Sequence, residues 1–366
     1  MAFIHTARAF ARRSKSRWIR YKYLTNDIAK QKKALASYST GITDVIDCEP
    51  LSSKVYAAFV YYEQQEFVSA SVQRIITSLR DHDVNVMIMC NHELAPKQLE
   101  FFKGMTHSII LRNNQGFDFG AFKDAVKHLR DGDFEVDRLL IMNDSVFYSS
   151  VGLDSLVSHL LGIEDAISAY ENWGEDHHMQ SFAMSLSSEI LESEPFNNFW
   201  NSYIPVNNRV HAIDSGEKVL SRAVLEAART SRVIYNASEL EAALLEQPEE
   251  FGERLIVFAQ PWRGHIEAMD RSEMPWAAQV NKFIDFVNVT SPIHSGAYLF
   301  PKFLQSPIYK KDIVYRSRFQ FWEVQSWIQG LMPEEEIEEY LDILRKKGDP
   351  SGLSGEDKYR YSVGSK

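Results

Sequence analysis

Short β-rich runs alternating with amphipathic helical patterns between residues 54 and 142 predict an α/β chain built on a mainly parallel central sheet, followed by a more helical C-terminal region. Two observations carry this prediction. The β-rich runs are short and nearly all apolar, as buried strands are. Each is followed by a helical pattern long enough to carry the chain over to the next parallel strand.

The first strand is Lys54 to Tyr62 (KVYAAFVYY), followed by an amphipathic helix over Val68 to Arg80 and a second strand, Val84 to Cys90 (VNVMIMC). A helix around Pro96 to Phe102 leads to the strand His107 to Arg112, and the helix Ala121 to Leu129 to the strand Arg138 to Met142. This order implies right-handed crossovers and a ligand site at the carboxyl ends of the strands. The alternation then loosens. A helix over Leu153 to Leu161 precedes strands Ala166 to Tyr170 and Met179 to Leu186, helices Phe196 to Tyr203 and Lys218 to Ala228, and a strand at Arg232 to Tyr235. Glu239 to Glu253 reads as a solvated acidic helical face, and the stretch to Ala278 offers no pattern. A last helix, Glu334 to Arg345, precedes a Gly/Ser/Lys tail expected to be disordered. The expected organisation is a basic segment over 1–45, the sheet-containing domain over 46–311, a helical region over 312–345 and a tail over 346–366.

The chain has 366 residues and a formal charge of −10, which argues against a molecule-wide nucleic-acid surface. The charge is unevenly spread. Residues 1–40 hold ten basic side chains against the single acid Asp27, and aromatics such as Phe10, Trp18 and Tyr21 lie among them. Such a segment could dock on an anionic membrane, each cation near the surface contributing about 1 kcal/mol; a solvated basic arm or an organellar transit peptide would share the pattern. With no run of apolar residues long enough to span a bilayer and no secretory pattern, the expected location is the cytoplasm, peripheral to the inner face of the plasma membrane. Cys48 and Cys90 form no paired motif, so neither a disulfide framework nor a cysteine metal site is indicated.

Four polar clusters could carry chemistry. In Arg112-Asn113-Asn114-Gln115-Gly116-Phe117-Asp118-Phe119-Gly120, between a strand and a helix, the glycines allow close backbone approach and the helix N-terminus offers N–H groups to a diphosphate. Asp118 would repel phosphate, so a ribose hydroxyl or a base N–H suits it better; as plain structure it would cap the helix. Asn143-Asp144-Ser145 follows a strand, where Asp144 could hold a divalent cation against a diphosphate or simply turn the chain. Around His177 and His178, Trp173 could stack on a sugar or wall a half-buried space, and adjacent strand histidines should point to opposite faces. Asp214-Ser215-Gly216-Glu217 reads as an acidic turn opening a helix, where Glu217 suits the dipole as well as it suits catalysis.

In order along the chain, these pieces resemble the rhamnan synthesis protein F family from about residue 54 to residue 311. The family's opening strand is similar to Val55 to Tyr62, its N-x-G-x-D-x-G-A loop to Asn114, Gly116, Asp118, Gly120 and Ala121, and its NDS turn to Asn143, Asp144 and Ser145. Its D-x-W-G segment appears without the acid as Glu171-Asn172-Trp173-Gly174, and its H-x-Q-S strand as His178, Gln180 and Ser181. The S-x-x-F-x-x-F-W helix matches Ser193 to Trp200, and G-E-x-x-L-S matches Gly216, Glu217, Leu220 and Ser221. Ser291-Pro292-Ile293-His294 and Ser306-Pro307-Ile308-Tyr309-Lys310 resemble its late N-P-x-H and P-F-I-K elements.

The resemblance implies a Rossmann-like GT-A glycosyltransferase fold. It implies transfer of a sugar such as rhamnose, with inversion, from a nucleotide-sugar donor to a lipid-linked or oligosaccharide acceptor in cell-surface polysaccharide synthesis. Glu217 would be the general base with Asp214 its rival. Arg112, Asn114, Gly116, Asp118, Gly120, Asn143, Asp144 and Ser145 would hold the donor, and Trp173, His178, Gln180 and His294 the acceptor or sugar. Asp144 would bind a divalent cation, Mg2+ or Mn2+, although such folds usually place two acids there and this chain has one. Two other classes fit the same fold: a nucleotidyltransferase, which would show a Gly-rich phosphate loop that residues 54–70 lack, and a non-catalytic carbohydrate-binding or assembly protein descended from a transferase.

Overall fold

A computed structural model describes residues 24–174, 176–248, 251, 274–316 and 319–348. Most of the basic segment (1–23), Glu175, part of the acidic stretch and its sequel (249–250 and 252–273), and the tail (349–366) lie outside the described residues.

The fold is mixed α/β with a large central sheet. The strands β1 (Ile42–Asp47), β2 (Val55–Tyr61), β3 (Asn85–Cys90), β4 (Ser108–Arg112), β5 (Arg138–Asn143), β6 (Val146–Tyr148), β7 (Ala166–Ser168), β8 (Glu171–Asn172), β9 (His178–Met179), β10 (Ala183–Ser187), β11 (Ser231–Val233) and β12 (Ile308–Lys310) follow in chain order. Eight of them form one sheet in the order β1-β4-β3-β2-β5-β10-β7-β11. β2, β3, β4 and β5 run parallel, as does β11 beside β7; β1 and β10 are the antiparallel members. The predicted mainly parallel sheet is thus present.

The apolar runs of β2 and β3 are continuous because both faces of the sheet are covered. Ala57, Phe59 and Tyr61 enter one core with Ile75, Leu79 and Ile88; Tyr56, Ala58 and Val60 enter the other with Met87, Phe122 and Trp200. At about 25 cal/mol per Å2, burying side chains such as Phe59 and Phe122 contributes roughly 1.5–3 kcal/mol each, so this two-sided burial dominates the sheet's stability. A third cluster joins Phe147 and Tyr309 to Trp327, Ile337 and Tyr340. It ties the C-terminal helix Glu334–Lys347 to the two-stranded ribbon in which β12 pairs antiparallel with β6.

Several elements differ from the sequence reading. β1 pairs with β4 and spans the boundary drawn between 45 and 46, and residues 24–34 before it are helical. The helix expected from Ala121 starts at Phe117 and runs to Asp131, because Gly116 takes φ +78° as its N-cap and the bare Cα of Gly120 lets the Gln115 carbonyl close in. The strand expected over Ala166 to Tyr170 stops at Ser168, whose hydroxyl donates to the carbonyls of Tyr170 and Gln180 (2.7 and 3.1 Å). The strand expected over Met179 to Leu186 is broken into β9 and β10. Between them Gln180 N donates to Tyr170 O (2.9 Å), and Ser181 turns to Glu217. Asp214 to Glu217 is not a turn opening a helix. A π-helical segment, Ala212–Glu217, joins Arg209–His211 to Lys218–Ala227, so Glu217 sits inside a continuous helical run.

Candidate active site

The parallel strands β2 and β5 end side by side, Val60 opposite Asn143, and the polar turn after β5 sits on that edge. Asn143 organises the turn. Its side-chain oxygen accepts from Ser145 N and Oγ (3.1 and 2.6 Å), and its amide donates to Asp118 Oδ2 (2.8 Å). A cleft with about 730 Å3 of space opens there. Its walls are the N-terminal turn of the Phe117–Asp131 helix, the β8–β9 hairpin, the π-helical segment, the start of the Pro292–Ser295 helix and the end of β12.

Seven of the residues chosen from sequence meet in this cleft: Asp118, Asn143, Ser145, His178, Gln180, Glu217 and His294. Glu217 Oε2 accepts from Ser181 N and Oγ (3.1 and 2.8 Å), and its Oε1 lies 3.4 Å from His178 Nε2. The contact is set by packing, since Met179 N donates to Ser221 Oγ (2.8 Å) and so fixes β9 on the helix that carries Glu217. Burial opposes ionisation of Glu217, but the His178 and Ser181 hydrogen bonds outweigh it and hold the carboxyl below its ordinary value. Burial likewise opposes charge on His178, and is outweighed by Glu217 and by the Asp176 carbonyl 2.9 Å from Nδ1, so its pKa is raised. His177, just before β9, bonds instead to Glu171 at 2.8 Å and does not line the cleft.

Asp118 is the counterpart. Burial and then the Asp144 charge push its carboxyl up to about 7, with Glu217 adding to the rise and Lys310 and Arg112 opposing it. Beside Asp312, which His294 also keeps ionised, the cleft therefore holds Glu217 as a carboxylate kept ionised and Asp118 as one that titrates near neutrality. Gln180 contributes a buried side-chain oxygen with no hydrogen-bond partner. His294 bridges Ser291 Oγ (2.9 Å to Nδ1) and Asp312 Oδ1 (3.3 Å to Nε2).

The other chosen residues lie elsewhere. Arg112 is buried under the sheet edge, with Nε 2.8 Å from Asp124 Oδ2, Nη2 donating to Gln115 O (2.8 Å) and Nη1 bonded to Asn91. Gly116 packs on Pro205, Gly120 serves the helix start, and Asn114 is exposed. Asp144 accepts from Tyr62 N (2.7 Å), which ties the ends of β2 and β5 together, and it does not line the cleft. Asp214 is 56% exposed and pairs with Lys218 (3.0 Å). Trp173, 49% exposed, stacks on His177 with ring centres 4.1 Å apart, while its neighbours Asn172 and Gly174 line the cleft. Among the described residues no three His, Cys, Asp or Glu side chains gather as a metal site.

Sequence reading assigned no role to the cleft's cations. Arg209, Lys218, Lys310, Arg316 and Lys347 line it against the acids Asp118, Glu217 and Asp312, an excess of positive charge that suits a phosphorylated ligand. The run Lys310-Lys311-Asp312 after an apolar triplet was the available signal, but its place opposite β6 is a long-range pairing.

Comparison with known proteins agrees with the motifs. Residues 86–260 match the family model of rhamnan synthesis protein F. A curated relative, the uncharacterized protein y4gN of Sinorhizobium fredii, is 22% identical over 189 residues, covering 50% of this chain and 49% of the relative. The chain thus spans about half the length of the curated relative it matches. Among solved structures, the mannosyltransferase Ktr4p from S. cerevisiae is similar at 8% identity and a TM-score of 0.30, over 56% of this chain and 76% of that one. A candidate nucleotide-diphospho-sugar transferase from Desulfovibrio desulfuricans G20 is similar at 10% identity and a TM-score of 0.23, over 64% and 97%.

Proposed function

We propose that this chain, glycosyltransferase-like through its match to rhamnan synthesis protein F over residues 86–260, moves a sugar from a nucleotide-sugar donor to a saccharide acceptor in polysaccharide synthesis. The observation that carries the reading is the cleft itself. It lies at the carboxyl ends of parallel strands, holds more cations than acids, and sets Asp118 and Glu217 in different protonation regimes.

In this reading the donor's diphosphate lies toward the cations and its nucleoside toward Asp118 and Asn143. The acceptor enters past Trp173, whose exposed face suits a sugar ring, and Gln180 receives one of its hydroxyls on the unpartnered side-chain oxygen. Glu217 takes the proton from the attacking hydroxyl. Ser181 and His178 fix its carboxylate, so the approach is pre-oriented at some cost in basicity. Direct displacement of this kind inverts the anomeric centre. A rhamnose donor, a lipid-linked acceptor, a GT-A assignment and a site at the inner membrane face belong to the same proposal. Among the described residues no helix is long and apolar enough to cross a membrane.

The test is to incubate purified protein with UDP-, GDP- and dTDP-sugars and a panel of rhamnose- and mannose-containing oligosaccharides, reading nucleoside diphosphate release. Acceptor-dependent release from one donor class is expected. Binding of saccharide with no release from any donor would instead indicate a carbohydrate-binding protein.

A further inference from the structure

We propose that Lys310 is the cleft's diphosphate-binding cation, and that its ammonium does the work expected of a divalent ion at Asp144; the inference rests on the nucleotide-sugar reading above. A metal on the NDS turn would need the Asp144 carboxylate turned into the cleft. One carboxylate oxygen, Oδ2, instead accepts the Tyr62 N–H at 2.7 Å, and Asp144 is not among the residues that line the cleft. The remaining acid next to the turn, Asp118, is hydrogen-bonded to the Asn143 amide. This donor set does not fit a cation bound by the turn.

A different positive charge is delivered to the same place. β12 pairs with β6 so that Lys310 lies opposite Val146, the residue after Ser145. Its ammonium stands 4.3 Å from the centre of the Phe182 ring and, among the described residues, makes no ion pair. Of the other cleft cations, Lys218 pairs with Asp214 and Arg316 with Asp312, while Lys347, at the end of the C-terminal helix, faces Asp312 and Asp144 rather than the Asp118 and Glu217 that Lys310 faces. Burial pulls the Lys310 ammonium below its ordinary value against the opposing pull of Asp312, Glu217 and Asp118, so an anionic ligand placed beside it would favour the charged form. An ammonium has three donors and no acceptor, so its natural ligand is an oxyanion.

In the transfer step the acceptor oxygen forms the new bond to the anomeric carbon and its proton passes to Glu217. The bond from that carbon to the diphosphate breaks with both electrons staying on the departing oxygen. The added negative charge then develops where Lys310 can stabilise it, as a preorganised cation should.

Calorimetry with UDP, GDP and dTDP, each with and without EDTA, tests the assignment on the wild type, Lys310→Met and Lys310→Arg, with thermal melts as the folding control. For the nucleoside diphosphate that binds, affinity should be unchanged by EDTA, fall by about 10- to 100-fold in Lys310→Met, and recover in part in Lys310→Arg. The parent nucleoside should bind wild type and Lys310→Met alike. Loss of binding in EDTA with recovery on adding Mg2+ or Mn2+, or wild-type affinity in folded Lys310→Met, overturns the assignment. If no nucleoside diphosphate binds the wild type, the nucleotide-sugar reading itself fails.

Discussion

His178 Nε2 lies 3.4 Å from Glu217 Oε1, and the two residues shift each other's protonation in opposite senses: the carboxyl is held ionised and the imidazole is held more basic. If Glu217 is the proton acceptor, Glu217→Gln keeps the Ser181 hydrogen bonds and removes the basicity. Turnover should fall by about 100-fold or more while donor affinity stays near wild type. Steady-state kinetics with parallel calorimetry checks this, and near-normal turnover would pass the role to Asp118 or His178.

Asp118 sets a pH dependence. Its folded-state value, up to about 7, exceeds the ordinary 3.8, so between these values the folded protein keeps a proton that the unfolded chain has released. Its contribution is therefore fully present below about 3.8 and is lost as pH rises toward 7. Asp118→Asn should raise the melting temperature more at pH 8 than at pH 4.5. Equal melting differences at the two pH values would show that Asp118 titrates normally.

Arg112 and Asp124 are fully buried, and the carboxylate also accepts from Gly41 N, Thr40 Oγ1 and Tyr38 OH. Removing one partner leaves an uncompensated charge, so Arg112→Met should cost about 3–5 kcal/mol in denaturant unfolding. At temperatures where the variant stays folded it should bind nucleotide like wild type. A stable variant with weakened nucleotide binding would return Arg112 to the donor site.

The same contacts refine the membrane proposal. Tyr38, Thr40 and Gly41 anchor the chain before β1 onto the Phe117–Asp131 helix, so a truncation meant to probe membrane docking should remove 1–23 and spare the rest. That protein should no longer cosediment with anionic vesicles at low salt and should retain donor binding. Cosedimentation equal to full length would reject a role for the basic residues of 1–23.

The sheet was legible because β2, β3 and β5 are apolar runs separated by helical periodicity, a local pattern. The ribbon of β6 and β12 was not, because two three-residue strands about 160 residues apart carry no local signal. The π-helical segment was missed for a related reason. Asp214 to Gly216 read as turn chemistry, yet Gly216 sits inside the helical run with its bare Cα against the Phe119 ring, where a Cβ would come within 2.8 Å. Polar density at strand ends pointed to the edge where the cleft opens without separating residues that line the cleft from those that hold the edge together. Arg112 and Asp144 are of the second kind. Asp124 among Ala121, Phe122 and Ala125 was the clue for Arg112, since an acid on a buried helix face needs a cation. The cleft's cations went unassigned because Arg209, Lys310 and Lys347 come from distant segments and converge only in the fold.

The most direct test of the account is saturation-transfer NMR with a panel of UDP-, GDP-, CDP- and dTDP-sugars on the wild type and Asp118→Ala. One nucleotide class should show enhancement on both base and sugar protons, and Asp118→Ala, which cuts the link to Asn143 in the cleft, should remove the base enhancement first. A panel with no enhancement, or enhancement untouched by Asp118→Ala in a folded variant, would contradict it.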